Sequence, residues 1–261
     1  MTGDWSPDTY LDFAAPRLRP AVDLLARIPL AAPEAIVDLG CGTGTATALL
    51  AARWPAARLT GVDASPAMLE TARADGPAGV TWLRADIAAW AADAAGPAAD
   101  LIFSNAALHW LDDHDALLPA LLRRLRPGGV LAVQMPANHP EPSHTALFDL
   151  ARDPRWADRL RPICRTAPVR TPAEYHRLLA PLAGGGVDIW QTQYLHVLEG
   201  PDPVARWTDS TIVRPLAAAL SPDEATDLRA AYAAALGAAY PPEADGRTLF
   251  PFRRLFLVAR P

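Results

Sequence analysis

Short apolar runs alternate with amphipathic stretches through the first half of the chain. Ala35–Leu39, Arg58–Val62, Val80–Arg84, Asp100–Ser104 and Val130–Gln134 are compact apolar segments ending at or just before Gly or a polar residue, the pattern of buried strands. Between them, Pro20–Ile28, Thr45–Trp54, Ala67–Ala74 and Asp113–Leu125 show helical spacing. Ser65-Pro66 supplies an N-cap followed by proline at the first helical position, and Pro127-Gly128-Gly129 closes the last of these helices. Strands alternating with helices predict βαβ units and an α/β fold: an open, doubly wound, mostly parallel sheet covered on both faces.

After Pro136 the rhythm breaks. Residues 137–183 are rich in Pro, Arg and Trp, with helical fragments near 146–152 and 172–182. Val187–Leu198 returns to strand character. A helical stretch runs from Pro203 to about Ala239, with Ser221-Pro222-Asp223-Glu224 as a start signal, and Arg254–Ala259 reads as a final strand. The two late strands, at 184–200 and 251–261, bring the sheet to seven. Residues 137–183 and 201–250 read as helical cap elements inserted late in the chain.

Composition narrows the class. The chain has 261 residues, 51% hydrophobic and 20% charged, with a formal charge of −5. That is ordinary globular material, without the basic footprint of a nucleic-acid binder. All 24 basic residues are Arg. No run approaches the roughly 18 apolar residues that span a bilayer, and the acidic, polar start does not resemble a secretory signal. Cys41 and Cys164 form no CxxC pair and the six His show no metal-ligand spacing, so no metal is expected and a cytoplasmic, reducing setting fits.

The candidate chemistry sits after the first strand, in Val37-Asp38-Leu39-Gly40-Cys41-Gly42-Thr43-Gly44-Thr45. A strand delivering a glycine-rich turn into a helix lets backbone approach a nucleotide. The spacing is G-x-G-x-G rather than the dinucleotide G-x-G-x-x-G. Asp38 would repel a pyrophosphate and suits a ligand bearing an ammonium, which favours S-adenosyl-L-methionine over NAD. Asp63, with Ala64 beside it, closes the second strand where a carboxylate accepts from ribose hydroxyls. Asp86 follows the third strand, placed for an adenine amino group. Ser104-Asn105-Ala106-Ala107-Leu108-His109-Trp110 lies at the carboxyl edge, where open sheets bind ligands.

These motifs resemble a class I S-adenosylmethionine-dependent methyltransferase over residues 36–134. The resemblance implies that Gly40, Gly42 and Gly44 pass beneath the methionine moiety, that Asp63 holds the ribose, that Asp86 and Ile87 flank adenine, and that backbone around Asn105 receives the ammonium. Other stretches are similar to the trans-aconitate 2-methyltransferase family: Trp5–Phe13, Arg53–Arg58, Ala132–Pro136, Val187–Thr192, Tyr240–Pro242 and Phe250–Phe256. Residues 1–136 are then the cofactor-binding half with an N-terminal lid. The implied reaction esterifies one carboxylate of a small polycarboxylate, most simply trans-aconitate.

Such an acceptor is ionised at neutral pH and needs no general base. Arg is suited to hold it, since the guanidinium fork binds carboxylate bidentately. Arg253 and Arg254 lead the expectation, followed by Arg214 in the cap. Adjacent residues of a strand face opposite ways, so one of the pair serves. Tyr10 would close over the site, with His109 and Trp110 bordering it and His109 able to orient substrate. Any one Arg in a lysine-free chain is as readily a solubility charge, and a His beside a Trp is as readily a packed wall. A different small-molecule or natural-product acceptor is the alternative, and a non-catalytic S-adenosylmethionine-binding protein ranks below it. Oligomeric state is not legible.

Overall fold

The computed structural model describes residues 18–93, 96, 98–164 and 169–261. Tyr10 and the rest of the expected lid segment lie outside the described residues. Strands β1 (Ala35–Leu39), β2 (Arg58–Asp63), β3 (Thr81–Arg84), β4 (Ala99–Asn105), β5 (Leu125–Pro136), β6 (Val187–Leu198) and β7 (Thr248–Ala259) form one seven-stranded sheet in the order β3-β2-β1-β4-β5-β7-β6. β1 to β5 pair in parallel, and β7 runs antiparallel to β5. The order reverses direction between β1 and β4, which is where a doubly wound sheet opens a crevice.

The described helices are α1 (Arg19–Ala26), α2 (Thr45–Arg53), α3 (Pro66–Asp75), α4 (Ile87–Ala92), α5 (His114–Arg123), α6 (Pro142–Leu150), α7 (Ala157–Leu160), α8 (Pro172–Leu179), α9 (Pro203–Thr208), α10 (Arg214–Ala217) and α11 (Pro222–Ala239). Ser65 caps α3 by accepting from Met68 N at 3.3 Å, with Pro66 at the first position as expected. The helix expected from 203 to 239 is interrupted. α9 passes into a π-helical turn at Asp209–Val213, α10 follows, and a fresh start at Ser221 opens α11 through a capping box with Glu224. Two strands are longer than their apolar cores. β5 begins at Leu125 and takes in the Pro-Gly-Gly turn, and β7 begins at Thr248 rather than Arg254. Leu131–Pro136 pairs with Arg254–Ala259, so Pro251 lies outside that ladder.

The chain divides into two compact units: residues 1–136, 170–192 and 254–261, and residues 137–169 and 193–253. Residues 170–183, read from sequence with the cap, therefore group with the first unit. The cause is local, because α8 lies against α5 and the Tyr175 hydroxyl meets His114 Nδ1 at 2.6 Å. In the first unit, Leu101, Ile102, Phe103, Val130, Leu131 and Val133 are fully buried in the central strands. The second unit has its own core, in which Trp156, Leu228, Tyr232, Leu236 and Phe250 are buried together. Tyr232 donates to Ser143 O at 2.6 Å and meets Thr208 Oγ1 at 3.0 Å, joining α11 to α6 and α9.

Phe250→Ala removes a fully buried ring from that second core and is expected to cost about 3–5 kcal/mol in chemical denaturation. Leu195→Ala, at a side chain 58% exposed, is expected to stay within about 0.5 kcal/mol of the parent.

Candidate active site

The glycine turn is shaped by what surrounds it. Gly40, Gly42 and Gly44 have φ of +72°, +55° and +83°, a region closed to most side chains. A Cβ on Gly40 would lie 2.1 Å from Ala107 Cβ, so the loop after β1 and the loop after β4 touch backbone to side chain. A Cβ on Gly42 would meet nothing within 4 Å, which leaves the loop crest open. Gly44 and Gly61 both sit against the Trp82 indole, where an added Cβ would fall 2.8 and 2.5 Å from ring atoms. Trp82 thus sets the packing of β2 and the start of α2.

Asp38 is 2% exposed and accepts from Thr47 Oγ1 of α2 at 2.6 Å. Burial raises its carboxyl to about 7, against a lowering by the Thr47 bond and a further raising by Asp63. Asp63 is held from two sides, accepting Gly42 N at 2.9 Å and Ser65 N at 2.8 Å. Asp86 caps α4 through Ala89 N at 2.9 Å, with Ile87 buried behind it. The Cys41 thiol is pushed far up by burial and by the charges of Asp38 and Asp63, so it is a small packing residue rather than a nucleophile.

Register carries the site across the sheet. Asp38 pairs with Phe103 of β4, Asn105 with Gln134 of β5, Gln134 with Phe256 of β7, and Pro136 with Arg254. Side chains alternate along strands, so Asp38, Asn105, Gln134, Phe256 and Arg254 share one face, at or next to its carboxyl edge. Asn105 Oδ1 is buried without a hydrogen-bond partner, and so are both polar atoms of the Gln134 carboxamide. Between them Ala106 takes φ +54° and donates to Gln134 O at 2.9 Å, a strained turn of the kind found at ligand sites. His109 and Trp110 lie on the following 3₁₀ turn (Leu108–Trp110), their rings 4.8 Å apart, and Trp110 is 50% exposed. His114 Nε2 meets Leu108 O at 2.9 Å and fixes that turn from α5.

The nominated arginines separate. Arg254 is 7% exposed and belongs to the first unit, on the face just described. Arg253 belongs to the second unit, where its side chain pairs with Glu141 at 2.5 Å and Asn138 holds its backbone from both sides. Arg214 is exposed at the start of α10 in the second unit. Arg254 was expected at the start of the last strand, and the longer β7 contains both Arg253 and Arg254. Sequence reasoning missed Thr47, Trp82 and the carboxamide of Gln134. A lone polar residue in the apolar run Val130–Met135 was the available signal for the last. Among the described residues no cluster of His, Cys, Asp or Glu could hold a metal, and no helix is long and apolar enough to cross a membrane.

A positive-φ glycine turn after β1 and carboxylates at the ends of the following strands, on this sheet order, define a class I methyltransferase. Residues 36–129 match the methyltransferase domain family model. Solved structures share the fold: a putative methyltransferase from Bacillus halodurans has a TM-score of 0.56 at 15% identity, covering 92% of this chain and 97% of that one. The YcgJ protein of Bacillus subtilis has a TM-score of 0.56 at 15% identity, covering 93% of this chain and 98% of its own. Full-length relatives are far more similar. The chain is 50% identical to trans-aconitate 2-methyltransferase of Azoarcus sp. strain BH72, 48% to that of Methylobacterium nodulans and 44% to that of Escherichia coli O17:K52:H18, each over 98% of both chains. The chain belongs to the trans-aconitate 2-methyltransferase family and is an S-adenosylmethionine-dependent methyltransferase.

The raised Asp38 carboxyl makes stability pH-dependent. A carboxyl whose folded pKa lies above its unfolded value imposes no penalty below pH 3.8 and a growing one as pH rises to about 7. Over that interval the loss is on the order of 4 kcal/mol. Asp38→Asn keeps an acceptor for Thr47 and removes the titration. In thermal melts of ligand-free protein, its advantage over the parent is expected to be small at pH 5 and largest at pH 8.

Proposed function

We propose that this chain transfers a methyl group from S-adenosylmethionine to one carboxylate of trans-aconitate, giving the monomethyl ester. The observation that carries the reading is the likeness, at 44–50% identity over 98% of the chain, to enzymes named for that reaction. A cytoplasmic reaction agrees with two cysteines that are both free.

The residues present fit the cofactor. Asp38 is a buried carboxyl poised near neutrality, so a ligand cation close by restores its charge. Asn105 Oδ1 is a buried acceptor without a partner, suited to an ammonium. The open crest at Gly42 leaves backbone accessible. Asp63 and Asp86, both oriented by backbone N–H groups, are rigid acceptors for ribose hydroxyls and for an adenine amino group, with Ala64 and Ile87 beside them. When bound, the cofactor supplies an electrophilic methyl on a sulfonium. In the transfer the acceptor oxygen gains the methyl as the carbon–sulfur bond breaks, and no proton moves.

The protein's work is therefore placement. Arg254, buried on the face that carries Asn105 and Gln134, is assigned the acceptor's carboxylate, where a low dielectric strengthens the ion pair. Arg253 is already neutralised by Glu141, and Arg214 is assigned no more than an auxiliary role. His109 and Trp110 are assigned to the wall of the acceptor site, His109 as an orienting donor rather than a base.

The test is labelled-methyl transfer to trans-aconitate, cis-aconitate and citrate, read as methanol released by base. Preference for trans-aconitate is expected, and absence of ester with trans-aconitate would overturn the reading. Arg254→Ala is expected to raise KM for the acceptor at least tenfold with cofactor affinity within about threefold. Arg253→Ala should have the smaller effect.

A further inference from the structure

Gln134 is the feature of the site that the fold does not explain. It is 0% exposed in a central strand, and both its amide nitrogen and its amide oxygen lack partners. Leaving buried polar groups unmet is destabilising, and an isosteric apolar residue would avoid that cost. Its neighbours are settled: Val130, Leu131, Ala132, Val133 and Met135 are all fully buried apolar residues. The backbone role of Gln134, accepting from Ala106 N, is open to any residue. A bound molecule would meet both atoms of the carboxamide.

Its position names the molecule. On one side along the register row stands Asn105, whose Oδ1 is equally unmet; on the other side is Phe256, stacked on Trp190 at 4.8 Å and offering no polar atom. Two residues further along β7, on the same face, is Arg254. A carboxamide presents one donor group and one acceptor group. The complement that suits these neighbours offers an acceptor toward Arg254, itself a donor, and a donor toward the unmet Asn105 Oδ1.

We propose that Gln134 bridges the two reactants: its Nε2 donates to the acceptor carboxylate, and its Oε1 accepts from the cofactor's ammonium together with Asn105 Oδ1. The inference rests on the carboxyl-methylation reading and adds a residue that fixes the acceptor against the methyl donor. The carboxamide takes no proton and forms no bond to either reactant. It orients the carboxylate oxygen and selects an ionised acceptor over its neutral amide or ester.

Gln134→Met keeps the volume and removes both polar atoms. Its ligand-free melting temperature is expected to equal or exceed that of the parent, while kcat/KM for trans-aconitate falls at least tenfold and S-adenosylhomocysteine binding weakens by less than that. A purely structural carboxamide would give the opposite pair, a lower melting temperature with kcat/KM within twofold, and that result overturns the proposal. Gln134→Glu, nearly isosteric, serves if the first variant does not fold. At saturating cofactor its activity should rise as pH falls from 8 to 6, because protonation restores a donor, whereas a parent-like pH profile overturns the proposal. A parent that binds S-adenosylhomocysteine yet makes no ester from trans-aconitate overturns the substrate reading and this inference together. An active parent alongside an equally active Gln134→Met overturns this inference alone.

Discussion

A carboxylate taken out of water with one hydroxyl for company sits uneasily, and Asp38 is placed that way beneath the glycine turn. Thr47 can meet only part of what solvent provided, so the group titrates near neutrality instead of near 4. The surroundings keep water away from it: the positive-φ glycines bring backbone over the strand end, and Ala107 closes the remaining gap against Gly40. Any residue larger than glycine at position 40 would separate the loops after β1 and β4. The strained Ala106, held by Gln134 O, places Ala107 for that contact. Electrostatic poise at Asp38 and close packing at Gly40 are thus two consequences of one approach between loops.

The parallel half of the fold was legible because its signals are local. Apolar runs of strand length, Ser65-Pro66 and the Ser221 capping box each encode their element within a few residues, and the structure follows them. Departures occur where pairing partners are distant in sequence. β7 extends back to Thr248 and β5 back to Leu125, although Pro127-Gly128-Gly129 reads as a helix stop. The π-helical turn at Asp209–Val213 likewise has no local mark, since helical periodicity continues through it.

Site residues divided along the same line. Acidic strand ends and the glycine turn are contiguous motifs, so Asp38, Asp63 and Asp86 could be nominated from position, whereas Asn105 came from the family resemblance. Trp82 could not, because its role is to fill space that Gly44 at the start of α2 and Gly61 of β2 leave open. Gln134 was visible only as one polar letter in an apolar run. Its meaning required the register that sets it beside Asn105 and opposite Phe256.

The charge problem posed by a polyanionic ligand in a protein of charge −5 turns on where arginine is buried. In the second unit Arg159, Arg229, Arg247 and Arg253 each pair with a carboxylate, at side chains 35–52% exposed. Exposed pairs of this kind are screened by solvent and add little net field. An anion gains more from one guanidinium in a dry environment than from several screened ones. β7 separates these two conditions in adjacent residues: Arg253 goes to Glu141, and Arg254 goes to the face with the unmet carboxamides. The alternation of a single strand thereby sends one arginine of the dipeptide to a carboxylate in the second unit and buries the other against the sheet of the first.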